Sequence, residues 1–158
     1  MISKKTVAFT ILAVFFVIAD RWLKALSLQG YFDRPFPLVG NFFSLNFAKN
    51  FYIAFSIPFS GPILTAIIGI IILILLYYWI KSVAAKTVGK PCELNPYILS
   101  LLIIGAALNF ADRIEHGFVV DYFYLRYFTV FNLADCLICF SVIWLLFFSF
   151  KKNRSAVS

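Results

Sequence analysis

PILTAIIGIIILILLYYWI, the stretch from Pro62 to Ile80, contains no charged side chain. About 20 apolar residues at 1.5 Å per residue cross ~30 Å of hydrocarbon as a helix. The stretch therefore reads as a membrane span, and the rest of the chain fits that reading. Apolar runs also occupy Thr6 to Leu28, Tyr97 to Ala111 and Phe131 to Phe150. The third reaches spanning length if Asp112 and Arg113 are included. Composition agrees: of 158 residues, 63% are hydrophobic and 13% charged, with mean hydropathy +0.93. A soluble domain is nearer half apolar and a quarter charged, and a chain this short cannot bury so much apolar surface. Disorder, which needs low hydrophobicity, is excluded as well. The expected fold is an all-α membrane protein. It is a single integral membrane domain over 1–158, a bundle of four transmembrane helices at about 6–28, 62–80, 97–113 and 131–150.

Basic residues set the expected orientation. Lys4 and Lys5 precede the first span, Lys81, Lys86 and Lys90 follow the second, and Lys151, Lys152 and Arg154 follow the fourth. With four alternating spans these fall on one side, which the positive-inside rule makes cytoplasmic, with both termini there. The net charge of +7 is thus accounted for by membrane loops, and no nucleic-acid partner is expected. Asp20-Arg21-Trp22 follows the first apolar run in place of a small-residue cleavage site, so that run is expected to stay as an uncleaved helix. Cys92, Cys136 and Cys139 form no disulfide framework. The Cys136-Leu-Ile-Cys139 pair lacks the further ligands of a structural zinc site.

The segment from about 30 to 61 is not a featureless loop. Phe42-Phe43-Ser44-Leu45-Asn46-Phe47 and Asn50 to Ile57 are β-prone, and Pro35, Pro37, Gly40, Pro58 and Gly61 punctuate them. A small extracytoplasmic β-sheet between helices 1 and 2 is expected, with its aromatics at headgroup level. The connection from His116 to Val130 reads as a shorter aromatic outer loop.

The acidic residues are unevenly placed. Asp20, Asp112 and Asp135 lie at the outer ends of three different helices, and Asp121 lies in the loop joining two of them. Charged groups at such depths face a bundle interior or a wet cavity, so four carboxylates converge near one level. Crowded carboxylates separate into a protonated and an ionised member, which suits acid–base chemistry on water. No Ser-His-Asp set or metal-binding helix motif is present. Asp20 and Lys24 are spaced for a helical charge pair. Asn109, Asp112 and Arg113 share one helix face, and Asn132 and Asp135 share another. From the residues alone, either Asp112 or Asp121 could partner Asp135.

Four motifs resemble one family. Asn109-Phe-Ala-Asp112-Arg113-Ile-Glu-His-Gly117-Phe-Val119-Val120-Asp121-Tyr122 resembles the NxxDRxxxGxVVDF signature of lipoprotein signal peptidases (signal peptidase II). Phe131-Asn132-Leu-Ala-Asp135 is similar to that family's FNxAD, Asp20-Arg-Trp-Leu-Lys24 to its DQxxK, and Asn50-Phe-Tyr-Ile-Ala54-Phe55-Ser56 to its NxGxAFS. The resemblance implies an intramembrane aspartyl endopeptidase of the bacterial cytoplasmic membrane that acts at the outer face. It would remove the signal peptide from diacylglyceryl-modified prolipoproteins just before the lipidated cysteine. It implies Asp121 and Asp135 as the catalytic pair, with Asn50, Asn109, Arg113 and Asn132 lining the substrate site. Asp20, Lys24 and Asp112 would support it from behind. No metal or cofactor is implied, membrane lipids are the surroundings, and a monomer is expected.

The chain departs from the pattern at Tyr52 and Leu108, where the family has glycine, at Arg21 in place of Gln, and in a short connection from Asp121 to Asp135. The competing reading is a non-catalytic binder of lipoprotein or lipid on the same scaffold. A proton-relay transporter fits less well, because the acids lie at one depth and form no path. His116 is expected to be a solvated loop residue, and Lys49 and Arg126 to be headgroup contacts.

Overall fold

The computed structural model describes residues 3–52, 60–89 and 94–155, with side chains as far as Ser149. Eight elements follow in order: α1 (Lys4–Leu28), β1 (Phe36–Val39), β2 (Phe43–Asn50), α2 (Pro62–Thr87), α3 (Pro96–His116), β3 (Val119–Leu125), β4 (Val130–Phe131) and α4 (Leu133–Ser155). Local chemistry marks the helix ends. The Ser3 hydroxyl accepts from Thr6 N–H at the start of α1, and the Asn95 side chain does the same for Tyr97 N–H at the start of α3. Pro62 and Pro96 open α2 and α3, where the missing N–H costs nothing. Gly117 closes α3 with φ +78° and donates its N–H to the Arg113 carbonyl, a left-handed turn that glycine enters without steric cost.

Among the described residues, α1, α2 and α3 are each long and apolar enough to cross a membrane; the apolar part of α4, Leu133–Ser149, is shorter. Helix α3 is central and packs against the other three. The outward surfaces are strongly apolar, with Ile11, Phe15, Ile18, Ile63, Leu73, Ile143 and Phe147 all exposed. Many of the most buried side chains are polar instead: Lys24, Asp20, Asp112, Asp121 and Asn132. That inverted pattern is what a lipid solvent favours, because charged groups must find partners away from hydrocarbon.

The sheet has four antiparallel strands in the order β1-β2-β3-β4. Only β1 and β2 come from the segment between α1 and α2. The other half comes from the α3–α4 connection, which the sequence suggested was an aromatic loop. Strand β3 is buried at Val119, Val120, Asp121 and Tyr122 in succession, so it lacks the period-two alternation that marks a half-buried strand. Its register with β2 places Ala48 opposite Asp121 and Asn50 opposite Val119. Phe131 pairs in β4 with Phe123, which is why α4 begins at Leu133 and not at Phe131. The β-prone residues beyond Tyr52, including Ala54, Phe55 and Ser56, lie outside the described residues up to Phe59. A small apolar cluster of Phe32, Leu45 and Tyr122, with Leu23, Leu26 and Leu133 packed on it, docks the sheet on the ends of α1 and α4.

Helices α3 and α4 meet most closely at Gly105. A β-carbon added there would stand 2.6 Å from the Ala134 carbonyl oxygen and 2.9 Å from Ile138 Cγ1. Leu108, one turn later, is buried as well. Because the closest obstacle is backbone, Gly105→Ala must displace the first turns of α4. Overpacking of this kind costs ~1–3 kcal/mol. A thermal melt in detergent is expected to show a clearly lowered midpoint; an unchanged midpoint would show that the crossing is not tight.

Candidate active site

The first turn of α4 is held by side chains from α1, from β3 and from Asn132, the residue just before the helix. A helix N-terminus leaves its first N–H groups without intrahelical partners. Here Leu133 N–H donates to the Tyr122 hydroxyl at 3.0 Å, Ala134 N–H to Asp20 Oδ1 at 3.2 Å and Asp135 N–H to Asn132 Oδ1 at 2.9 Å. In return Asp135 Oδ2 accepts from Asn132 N–H at 3.1 Å. The Asn132–Asp135 exchange is a reciprocal capping box, and the positive end of the helix dipole favours the carboxylates gathered there. The spacing of Asn132 and Asp135 is therefore a folding signal as well as a site signal.

Capping uses only the oxygen of the Asn132 amide, which leaves its Nδ2 free to act elsewhere. That nitrogen donates to Asp121 Oδ1 at 2.7 Å and lies 3.1 Å from Asn109 Oδ1. Asn109 Nδ2 donates to Asp135 Oδ1 at 2.7 Å. From the end of β2, diagonally across the sheet, Asn50 Nδ2 donates to Asp121 Oδ2 at 2.9 Å. Three asparagine amides thus surround Asp121 and Asp135, and Asn132 touches both. Burial, and next the nearby Asp135, push Asp121 up from the ordinary 3.8 to about 7, against the opposing bonds from Asn50 and Asn132.

The other two aspartates are engaged with cations. Lys24 Nζ lies 2.9 Å from Asp20 Oδ2 and 2.8 Å from Asp112 Oδ2, and donates to Asn109 Oδ1 at 3.1 Å. Arg21 takes the other Asp112 oxygen at 2.9 Å and also pairs with the exposed Glu115. Asp112 Oδ2 further accepts from Val120 N–H. Asp20 Oδ1 accepts from the Tyr122 hydroxyl at 3.0 Å. Burial, reinforced by Asp20, raises the Tyr122 phenol far above its usual range, so it stays protonated. Neither Asp121 nor Asp135 makes an ion pair among the described residues.

All nine singled-out residues fall in one neighbourhood. Arg113 alone points elsewhere: its guanidinium donates to the carbonyls of Phe51 and Tyr52, at 3.3 and 2.6 Å. Tyr52 N–H in turn donates to Asn50 Oδ1, so the segment after β2 is tied to Arg113 and, through Asn50, to Asp121. Among the described residues the only non-glycine with positive φ is Tyr127; Tyr52 therefore replaces a glycine without backbone strain. Lys49 lies 5.1 Å over the Phe118 ring and Arg126 5.2 Å over Tyr127. His116 ends α3, 3.6 Å from Glu115. Cys136 and Cys139 are free and exposed. Three contributors were given no role by the sequence reading: Tyr122, Gly105 and Arg21. Burial on both faces of β3 leaves Tyr122 without a periodic signal in the sequence.

A family model described as Signal peptidase (SPase) II matches residues 12–151. The chain is 32% identical over 137 residues to the lipoprotein signal peptidase of Caldicellulosiruptor bescii, covering 86% of each chain. It is 28% identical over 151 residues to that of Clostridium novyi, covering 91% of this chain and 98% of the other. A solved bacterial membrane enzyme, determined by the in meso method at 2.3 Å, superposes with TM-score 0.76 at 28% identity. That match covers 96% of this chain and 92% of the other.

Proposed function

Because the chain belongs to the signal peptidase II family, we propose that it removes the signal peptide from diacylglyceryl-modified prolipoproteins, cutting just before the lipidated cysteine. Asp121 and Asp135 are the catalytic pair. The observation that carries this assignment is the division of the four aspartates: Asp20 and Asp112 are paired with Lys24 and Arg21, whereas Asp121 and Asp135 have amide partners and, among the described residues, no ion pair. An aspartate whose oxygens are taken up by a cation and by neighbouring donors is poorly placed to exchange a proton with water. Two carboxyls without a cation and close together retain one proton between them.

The ionised member takes a proton from water as the water oxygen adds to the scissile carbonyl carbon. The protonated member gives its proton to the leaving amine nitrogen as the C–N bond breaks. One water is consumed, one carboxylic acid and one amine are formed, and a proton exchange between the two carboxyls restores the start. Asn109 and Asn132 hold the carboxyl orientations, while Asn50 and Arg113 border the path of the peptide. The scissile bond has to reach water, which the hydrocarbon centre lacks, and a site at the sheet-covered helix ends meets that need. In this reading all of 1–158 is one membrane unit. It is a monomer with four spans, both termini cytoplasmic and the sheet at the outer face of the bacterial cytoplasmic membrane.

The test is cleavage of a synthetic diacylglyceryl prolipoprotein by the purified protein in detergent, with the new N-terminus read by mass spectrometry. Cleavage before the lipidated cysteine is expected. A folded protein that binds the substrate without cutting it would favour the non-catalytic binder.

The pH profile follows from Asp121. The rate is expected to fall on the alkaline side with a midpoint near 7, where the pair loses its shared proton. Stability should move with it. Asp121 binds its proton more tightly folded than unfolded, so its contribution is complete below about 4 and is lost as pH rises through about 7. A rate flat from pH 5 to 9 would contradict the shared-proton pair.

A further inference from the structure

Strand β3 carries two buried polar residues side by side that face opposite ways. Successive side chains of a strand point to opposite faces. Asp121 points toward Asn50 and Asn132. Tyr122 points into the cluster of Phe32 and Leu45, where it is 0% exposed. Its hydroxyl makes two directed bonds there: it donates to Asp20 Oδ1 and accepts from Leu133 N–H, both at 3.0 Å. Leu133 is the first residue of α4, and Asp20 Oδ1 also receives the next N–H, that of Ala134. The phenol therefore fastens the strand bearing Asp121 to the helix turn bearing Asp135, and fastens both to α1 through Asp20.

We propose that Tyr122 is a positioning residue for the peptidase reaction, whose hydroxyl sets the separation of Asp121 and Asp135 by joining β3 to the first turn of α4. The inference rests on Asp121 and Asp135 being the catalytic pair. Asp121 is held by its own strand, by Asn50 and by Asn132, whereas Asp135 rides on the end of α4. Without the phenol oxygen, the part-buried Leu133 N–H loses its partner, and a donor left unpaired in this way favours a shift of the turn. Movement of the turn changes the distance across which the two carboxyls share a proton and grip one water. A displacement near 1 Å at such a site costs about 10²-fold in rate.

Tyr122→Phe is the test, because it keeps the ring and its contact with Phe123, at 4.7 Å between centroids, and removes only the oxygen. Rates are read on folded protein, below the variant's own melting point. The expected result is a fall in kcat of roughly 10- to 100-fold with KM within about twofold. The acid and alkaline limbs of the kcat profile should move closer together, because more distant carboxyls couple less strongly. A purely structural phenol would lower the melting temperature and leave kcat and both limbs at their wild-type values; that outcome overturns the proposal.

If Tyr122→Phe folds poorly, Tyr122→Phe with Leu133→Pro supplies the second test. Proline is tolerated at the first helical position and deletes the orphaned N–H, yet the helix end stays unfastened. Its kcat should remain low, and wild-type kcat with wild-type limbs would again overturn the proposal. Asp121→Asn is assayed alongside. If it cleaves normally, the catalytic pair itself is wrong; if it is inactive while Tyr122→Phe matches the wild type, only the role of Tyr122 falls.

Discussion

Asp121→Asn and Asp135→Asn are each expected to abolish prolipoprotein cleavage, with kcat lowered by about 10³-fold or more, since a positioned acid or base contributes roughly 10²–10⁴-fold. Each replacement keeps the shape of the side chain and removes its ability to exchange a proton. Folding should survive. Burial already disfavours the ionised form of Asp121, so a neutral amide relieves a penalty even as one of the bonds from Asn50 or Asn132 is weakened. Melting within a few degrees of the wild type, together with loss of cleavage, is the expected pair of results. Removing an active-site carboxylate often separates activity from stability in this direction. Cleavage that survived Asp121→Asn and disappeared in Asp112→Asn would transfer the role to Asp112.

The largest effect on stability is expected at Lys24. Its ammonium is 2% exposed and lies between Asp20 and Asp112, which are 0% and 1% exposed. Lys24→Met keeps the length and apolar stem of the side chain, leaves buried Asp20 without its cation and leaves Asp112 with Arg21 alone. Removing one member of a buried pair costs about 3–5 kcal/mol, and here two pairs depend on the same cation. A large fall in melting temperature and loss of activity are expected, since Asn109, and through it Asp135, also leans on Lys24. Adding Asp20→Asn should restore part of the stability by removing one stranded charge. Glu115→Gln serves as the comparison: its pair with Arg21 is exposed to water on both sides, and such pairs contribute little. If Lys24→Met melted no lower than Glu115→Gln, the buried triad would not be a principal support of the fold.

The helices could be read from the sequence because membrane helices are local objects. Long runs of apolar side chains need no knowledge of the rest of the chain. The candidate site residues could be read because polar groups are scarce among apolar ones, so Asp20, Lys24, Asn109, Asp112, Asn132 and Asp135 stood out toward the ends of apolar runs. Strands β3 and β4 could not. Val119 to Tyr122 is covered on both faces, the site on one and the Phe32–Leu45 cluster on the other. Periodicity vanishes when both faces are buried. Gly105 was equally silent, because the significance of a missing β-carbon depends on which backbone passes beside it.

The sequence by itself determined a helical protein of membrane type, and which polar groups would be drawn together at one end of it. Hydrocarbon excludes charge, so any acid within an apolar helix has to turn toward another polar group, wherever it lies in the chain. Only the tertiary structure decided how those groups were shared out. Lys24 and Arg21 could have paired with any of four aspartates, and helical spacing favoured Asp20 alone. Packing of α1 against α3 brought both cations to Asp112, and pairing of β2 with β3 brought Asn50 to Asp121. An ion pair depends steeply on distance in a poorly screened interior. Which aspartates are neutralised and which remain free for chemistry is therefore a property of the packed fold, and the order of residues does not contain it.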